Sequence, residues 1–289
     1  MKKIVDFRCT YENDTGLDKK TAEAVGIRFP EVYQSAVEMA HMAKLARIQN
    51  AEAFCELPFC HTLEAEAMGA RVILGDGTTA PRAGAYRYQT LEELEEHSVM
   101  DLTFTRIQEV LAACRLLAAE GEKVVLDVSG PFTIWNSLID IRVILKAMRK
   151  NPEQMQRMFD KVQEEQLRFL KEACNYGVQA FSYADSAGAV NILGPRMMTQ
   201  VTECFTVPFL KRAEQAIGKE RILLVCPKTT LALLGTEHAV LKDVALPEPM
   251  RYAEACMQMV GRAQMLGQMC LKNRNYILQN RIIKEVVLV

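Results

Sequence analysis

Residues Arg221-Ile-Leu-Leu-Val-Cys226-Pro-Lys-Thr-Thr230 decide how the rest of the chain is read. An aliphatic run stops on a cysteine, and proline with a polar turn follows at once. Strands of an α/β barrel end in this way at the rim of the sheet, where they present a side chain to the cavity. A second apolar segment, Leu266-Gly-Gln-Met-Cys270, also ends on a thiol and is the expected partner of Cys226.

Outward from this stretch the chain alternates between strand and helix patterns. Before it, the spacing predicts a helix over 195–217, stopped by Gly218. Val178–Tyr183 reads as a strand closed by Ala184-Asp185-Ser186-Ala187-Gly188. Asn151-Pro152-Glu153 opens a helix, with asparagine as cap and proline at the first helical position. Lys123–Val128 is continuously apolar, as for a strand buried on both faces of a parallel sheet, and runs into Ser129-Gly-Pro-Phe-Thr133. Further back lie a strand over 53–60, a helix over 31–50 with apolar residues at helical spacing, and a polar stretch Tyr11–Lys20 after a first strand at Ile4–Arg8. Ile282–Val289 is the expected last strand. Repeated strand and helix make an α/β fold. A (β/α)8 TIM barrel is the expectation, as one domain over 1–289. No glycine-rich dinucleotide fingerprint follows an early strand, and Cys60/His61, Asp127/Ser129, Asp185/Ser186 and Cys226 all fall at strand ends.

Charge and composition narrow the partners. With 35 basic against 36 acidic residues, no excess favours nucleic acid or a membrane surface. No segment approaches the roughly 18 apolar residues of a membrane span. The N-terminus is charged too early for a secretory leader. An odd set of nine scattered cysteines then reads as reduced thiols in a cytoplasmic protein.

Four stretches carry a resemblance: Pro58-Phe-Cys-His-Thr-Leu-Glu-Ala-Glu-Ala-Met-Gly69, Gly130-Pro-Phe-Thr133, Tyr183-Ala-Asp-Ser-Ala187 with Gly194-Pro195, and Cys226-Pro-Lys-Thr229. In order and spacing they resemble the uroporphyrinogen decarboxylase superfamily. The similarity is greatest to its cobalamin-dependent methyltransferase branch, which includes the methylcobamide:coenzyme M methyltransferases. The resemblance implies a barrel with its site at the C-terminal mouth. It also implies zinc held by a His-x-Cys pair and a distant cysteine, and a methyl group passed between a corrinoid on a separate small protein and an activated acceptor. Zinc suits such chemistry because it keeps a thiol deprotonated at neutral pH. Two departures stand out. Leu224 occupies the histidine position two before Cys226, and Cys270 follows early, as in a barrel trimmed near its C-terminus. Residues 1–50 hold no Arg-rich, Gly-containing segment of the kind the decarboxylases use, which disfavours porphyrinogen decarboxylation.

On this resemblance Cys226 and Cys270 bind zinc, with His61 or Glu56 as a further ligand. Each has an ordinary alternative: a cysteine packs as a small hydrophobe, and a loop histidine forms a hydrogen bond. Asp185 is the expected catalytic carboxylate, or else a helix N-cap. Asp127 sits inside an apolar strand, where an ionised side chain needs partners. With Ser129 and Gly130, which shape a loop whose backbone N–H faces a ligand, it is the expected cofactor contact. Cys9, Cys55, Cys114, Cys174, Cys204 and Cys256 are read as structural. The expected function is methyl transfer between a corrinoid-binding partner protein and a small-molecule donor or acceptor. The alternatives are demethylation of methoxylated or methylamine-type substrates, and a degenerate barrel that binds a small molecule or the corrinoid protein.

Overall fold

The continuously apolar runs become the central strands of a parallel sheet. In a computed structural model of the chain, residues 4–9 and 19–289 are described. Most of the expected polar stretch Tyr11–Lys20 lies outside them. The strands are β1 (Cys55–Leu57), β2 (Val72–Ile73), β3 (Arg82–Ala83), β4 (Val124–Ser129), β5 (Ala180–Ala184), β6 (Ile222–Val225), β7 (Ala239–Ala245), β8 (Met265–Leu266) and β9 (Ile282–Leu288). Seven of them form one sheet in the order β1-β4-β5-β6-β8-β9-β7, and β2 and β3 pair separately. The first five are parallel, with helices in the crossovers, so the chain has an α/β fold.

The sheet ends differently from expectation. β9 runs antiparallel to both β8 and β7, so Ile282–Leu288 does not add a parallel strand that would close a ring. Among the described residues the ladders run from β1 at one edge to β7 at the other. β7 was not legible as a strand because it is an edge strand with little burial, where Lys242 and Asp243 interrupt the apolar pattern. Those charges face opposite charges on β9: Lys242 lies across from Glu285, and Asp243 is ion-paired with Lys284. Ile4–Arg8 forms no strand. Ile4 is buried but Val5 is exposed, so the segment has one apolar anchor and no second face to bury. Asn151 does precede a helix, Pro152–Cys174, yet its side chain makes no capping hydrogen bond.

Alternation along the strands sorts the core into two layers. Leu57, Leu126, Val128, Phe181, Tyr183, Leu223 and Val225 pack with the helices Thr105–Ala119, Pro152–Cys174 and Val207–Ile217. On the other face Val125, Ala180, Ile222, Leu224 and Leu266 meet Ile283 of β9 and the helix Tyr252–Gln258. Asp127 and Ser182 are two residues beyond Val125 and Ala180 and share this second face. Among the described residues no helix is long and apolar enough to cross a membrane.

Candidate functional site

The chemistry gathers at the carboxyl ends of β1, β4, β5, β6 and β8, on the face that carries Asp127. The register sets one row straight across the sheet: Asp127 lies beside Ser182, Ser182 beside Leu224, and Leu224 beside Leu266. Leu224 is 5% exposed within the apolar cluster, so the position expected to hold histidine is filled by core hydrocarbon.

Two carboxyls meet at the polar end of that row. Glu56 on β1 acts on Asp127 of β4, whose neighbour across the ladder is Ser182. Burial, then the nearby charge of Glu56, holds the Asp127 carboxyl well above its usual range. Arg274 supplies the counter-charge: its Nη2 donates to Glu56 at 2.6 Å and its Nη1 to Glu52 at 2.7 Å. One guanidinium thus serves this group of three neighbouring carboxyls. His61 faces the same group from the loop after β1. His61 is an exposed residue, yet desolvation and then the charge of Lys272 hold it below its usual pKa, with Glu56 opposing. That loop is pinned from behind, where Cys60 Sγ accepts from Arg106 Nη2 at 2.7 Å and from Thr62 Oγ1 at 3.4 Å.

Asp185, just past β5, reaches back to the helix Pro131–Leu138. Its Oδ1 accepts from Thr133 N–H and Thr133 Oγ1, both at 2.8 Å, and its Oδ2 accepts from Phe132 N–H at 3.2 Å. It therefore caps a helix from another part of the chain, not the segment that follows it. Burial pushes its pKa up to about 6 against these bonds. The loop is built around this carboxyl: a Cβ on Gly130 would come within 2.5 Å of Asp185 Cγ, and one on Gly188 within 2.7 Å. Phe132 and Trp135, both buried and packed edge-on at 5.5 Å, anchor the capped helix. The backbone N–H groups expected to face a ligand are used internally. Ser129 N–H donates to the buried Glu64 carboxylate at 2.7 Å, and Gly130 N–H to the Ala184 carbonyl at 2.9 Å.

The two cysteines form a second centre. Cys226 follows β6 at the head of the helix Pro227–Gly235, and its N–H donates to the Tyr183 carbonyl at 2.9 Å. Cys270 precedes the short turn Leu271–Asn273. Both are half-buried. Burial pushes the Cys270 thiol up to about 11, and the charges of Cys226 and Cys9 raise it further. Burial likewise raises Cys226, which also feels Cys9 and Asp185, while Lys228 opposes. Thr230, one turn along the helix from Cys226, is 2% exposed, and its Oγ1 has no hydrogen-bond partner. It abuts Gly267, on the way from β8 to Cys270. Thiols of this kind with an orphaned hydroxyl beside them suit a soft divalent cation by donor type. Among the described residues, however, no three His, Cys, Asp or Glu side chains converge as a metal group. The four expected ligands thus divide into Cys226 with Cys270, and His61 with Glu56.

Ser182, Arg274, Lys272 and Cys9 were not anticipated. Ser182 carried a readable signal, because it is the polar residue on the same strand face as Ala180. Arg274 carried none, since only the folded chain brings it to the sheet.

The chain matches the family description Uroporphyrinogen decarboxylase (URO-D) over residues 16–261. It is 22% identical over 252 residues to the methylcobamide:CoM methyltransferase MtaA of Methanosarcina barkeri, covering 85% of this chain and 72% of that protein. To the methylcobamide:CoM methyltransferase MtbA of Methanosarcina mazei it is 22% identical over 217 residues, covering 73% and 62%. A solved methyltransferase from Methanosarcina mazei superposes with a TM-score of 0.63 at 20% identity, over 72% of this chain and 60% of that one. A match over most of its length makes the chain a member of the uroporphyrinogen decarboxylase (URO-D) family.

Proposed function

We propose that this protein is a methyltransferase that moves a methyl group between a corrinoid on a partner protein and a small-molecule donor or acceptor, with zinc on Cys226 and Cys270. The observation that carries the reading is the placing of two half-buried thiols past the ends of the neighbouring parallel strands β6 and β8, in a chain whose relatives are methylcobamide:CoM methyltransferases. Bound zinc would supply Lewis acidity that keeps an acceptor thiol deprotonated.

The chain's own residues have separable tasks. Cys226 and Cys270 are protonated when no cation is near, because burial raises both, and each gives up its proton on binding one. Asp127, its carboxyl raised by burial and by Glu56, stands beside Ser182, a position from which a donor or acceptor group could be hydrogen-bonded. Arg274 keeps Glu56 in place, and Asp185 fixes the loop 130–133.

Methylcobalamin absorbance tests the reading. The zinc-loaded protein is expected to demethylate methylcobalamin in the presence of a small thiol, and Cys226→Ser and Cys270→Ser to abolish this. If neither thiols with methylcobalamin nor methoxylated aromatics and methylamines with cob(I)alamin give a spectral change, the reading is wrong. Leu224 favours a second reading, an accessory barrel that binds the corrinoid protein. Tight binding of that partner without turnover would establish it.

A further inference from the structure

On the helix side of the sheet, away from the face of Asp127 and Ser182, lies a small cavity. Tyr183 and Val225 are neighbours at the ends of β5 and β6, and the chain beyond each leads into its wall. Tyr183, Asp185, Val201, Thr206, Lys228 and Thr229 line it. Its back is the turn Thr202–Thr206, wound as a π-helix between Val190–Val201 and Val207–Ile217. Such widened turns are frequent at functional sites. Tyr183 is 3% exposed, its ring packed on Phe209 at 5.2 Å. Among the described residues its hydroxyl has no hydrogen-bond partner, nor has that of Thr229, which is 8% exposed. Lys228 is half-buried, and among the described residues its ammonium makes no ion pair. Buried donors are rarely left unmatched.

We propose that this cavity is a binding site for a small monovalent anion, a halide or a one-carbon carboxylate, held by Lys228 and the hydroxyls of Tyr183 and Thr229. All three unmatched groups donate hydrogen bonds, and one is a cation. Asp185, the acid on the wall, is already engaged by the Phe132 and Thr133 N–H groups and by Thr133 Oγ1. The Thr206 hydroxyl is turned to the Val201 carbonyl at 3.4 Å. Room for about one water-sized group excludes any ligand with rings. The anion would join the head of the helix Pro227–Gly235 to the Asp185 loop, and so steady the strand end that carries Cys226. It requires no metal, so it stands or falls apart from the zinc reading.

Chloride-35 NMR of the full-length chain tests the site, because exchange of chloride with a slowly tumbling protein broadens its line. The wild type is expected to broaden it, and sodium formate to reverse the broadening. Lys228→Gln and Tyr183→Phe should each bind chloride at least about tenfold more weakly. Cys226→Ser should keep the broadening, which tells this site from chloride bound to zinc. In crystals of the unmodified protein soaked in sodium bromide, anomalous scattering should place bromide within hydrogen-bond reach of Lys228 Nζ and Tyr183 Oη. The proposal is overturned if the wild type shows neither formate-sensitive broadening nor a bromide peak in this cavity. It is equally overturned if broadening persists undiminished in Lys228→Gln and Tyr183→Phe, or disappears in Cys226→Ser.

Discussion

Glu56 and Arg274 are joined at 2.6 Å although 218 positions separate them, and this bond ties the first strand of the sheet to the loop beyond Cys270. The other arm of the guanidinium holds Glu52, so a single side chain gathers the acidic side of the cleft. Both bonds are charge-assisted and largely shielded from solvent, with Arg274 18% exposed.

Removing that cation is expected to cost more than a surface ion pair would. Arg274→Gln leaves Glu52, Glu56 and Asp127 together with no counter-charge and should destabilise the fold by about 3 kcal/mol at neutral pH. In urea unfolding the loss should shrink toward pH 5, as the carboxyls take up protons. An equal loss at pH 5 and pH 8 would show that Arg274 contributes packing and not charge.

Asp185 sets a pH dependence of its own. Its folded-state pKa is about 6, above the ordinary 3.8, because burial outweighs four stabilising hydrogen bonds. A raised carboxyl stabilises the fold fully below its unfolded pKa, and the contribution is lost as pH rises through the folded value. Stability should therefore fall between pH 4 and pH 6, by on the order of 3 kcal/mol from this group. Asp185→Asn should remove that slope, at the cost of one acceptor at the helix head. A pH profile that is the same in the variant would mean that Asp185 is not the group responsible.

Gly130 and Asp185 are expected to behave as one unit. Gly130 has ordinary extended backbone angles, so alanine is opposed by the Asp185 side chain behind it, Cβ and carboxyl together. Gly130→Ala should destabilise by about 2 kcal/mol through overpacking. In an Asp185→Gly background, which removes the Cβ at 2.3 Å together with the carboxyl, most of that cost should vanish, giving a coupling energy above about 1 kcal/mol. Strict additivity in thermal melts would place the obstruction elsewhere.

How much of this could be read from the sequence follows from the range of the interactions. The strand ending on Cys226 was legible because Ile222–Val225 is buried on both faces, and unbroken hydrophobicity is what such burial requires. The antiparallel end of the sheet was not, since β7 and β9 are held by cross-strand pairing that leaves little trace in either strand alone. The role of Asp185 was half legible. A cap could be foreseen, but its target is a helix 52 positions earlier, and local sequence cannot choose between a near and a far one.

Leu224 offers the sharpest test of how the two cysteines are used. It stands two residues before Cys226, on the sheet face shared with Ser182 and Asp127, among apolar neighbours. Without metal, Leu224→His puts a polar ring into that hydrocarbon and should cost about 2 kcal/mol. With zinc present, an imidazole there adds a ligand beside the thiols, and binding to the native state alone stabilises it by mass action. Zinc should consequently raise the melting temperature of Leu224→His by more than it raises that of the wild type. The gain should disappear when Cys226 is also replaced by serine. If zinc raises the melting temperatures of wild type and Leu224→His equally, position 224 does not face the metal, and the resemblance to a His-x-Cys pair has no counterpart in this cleft.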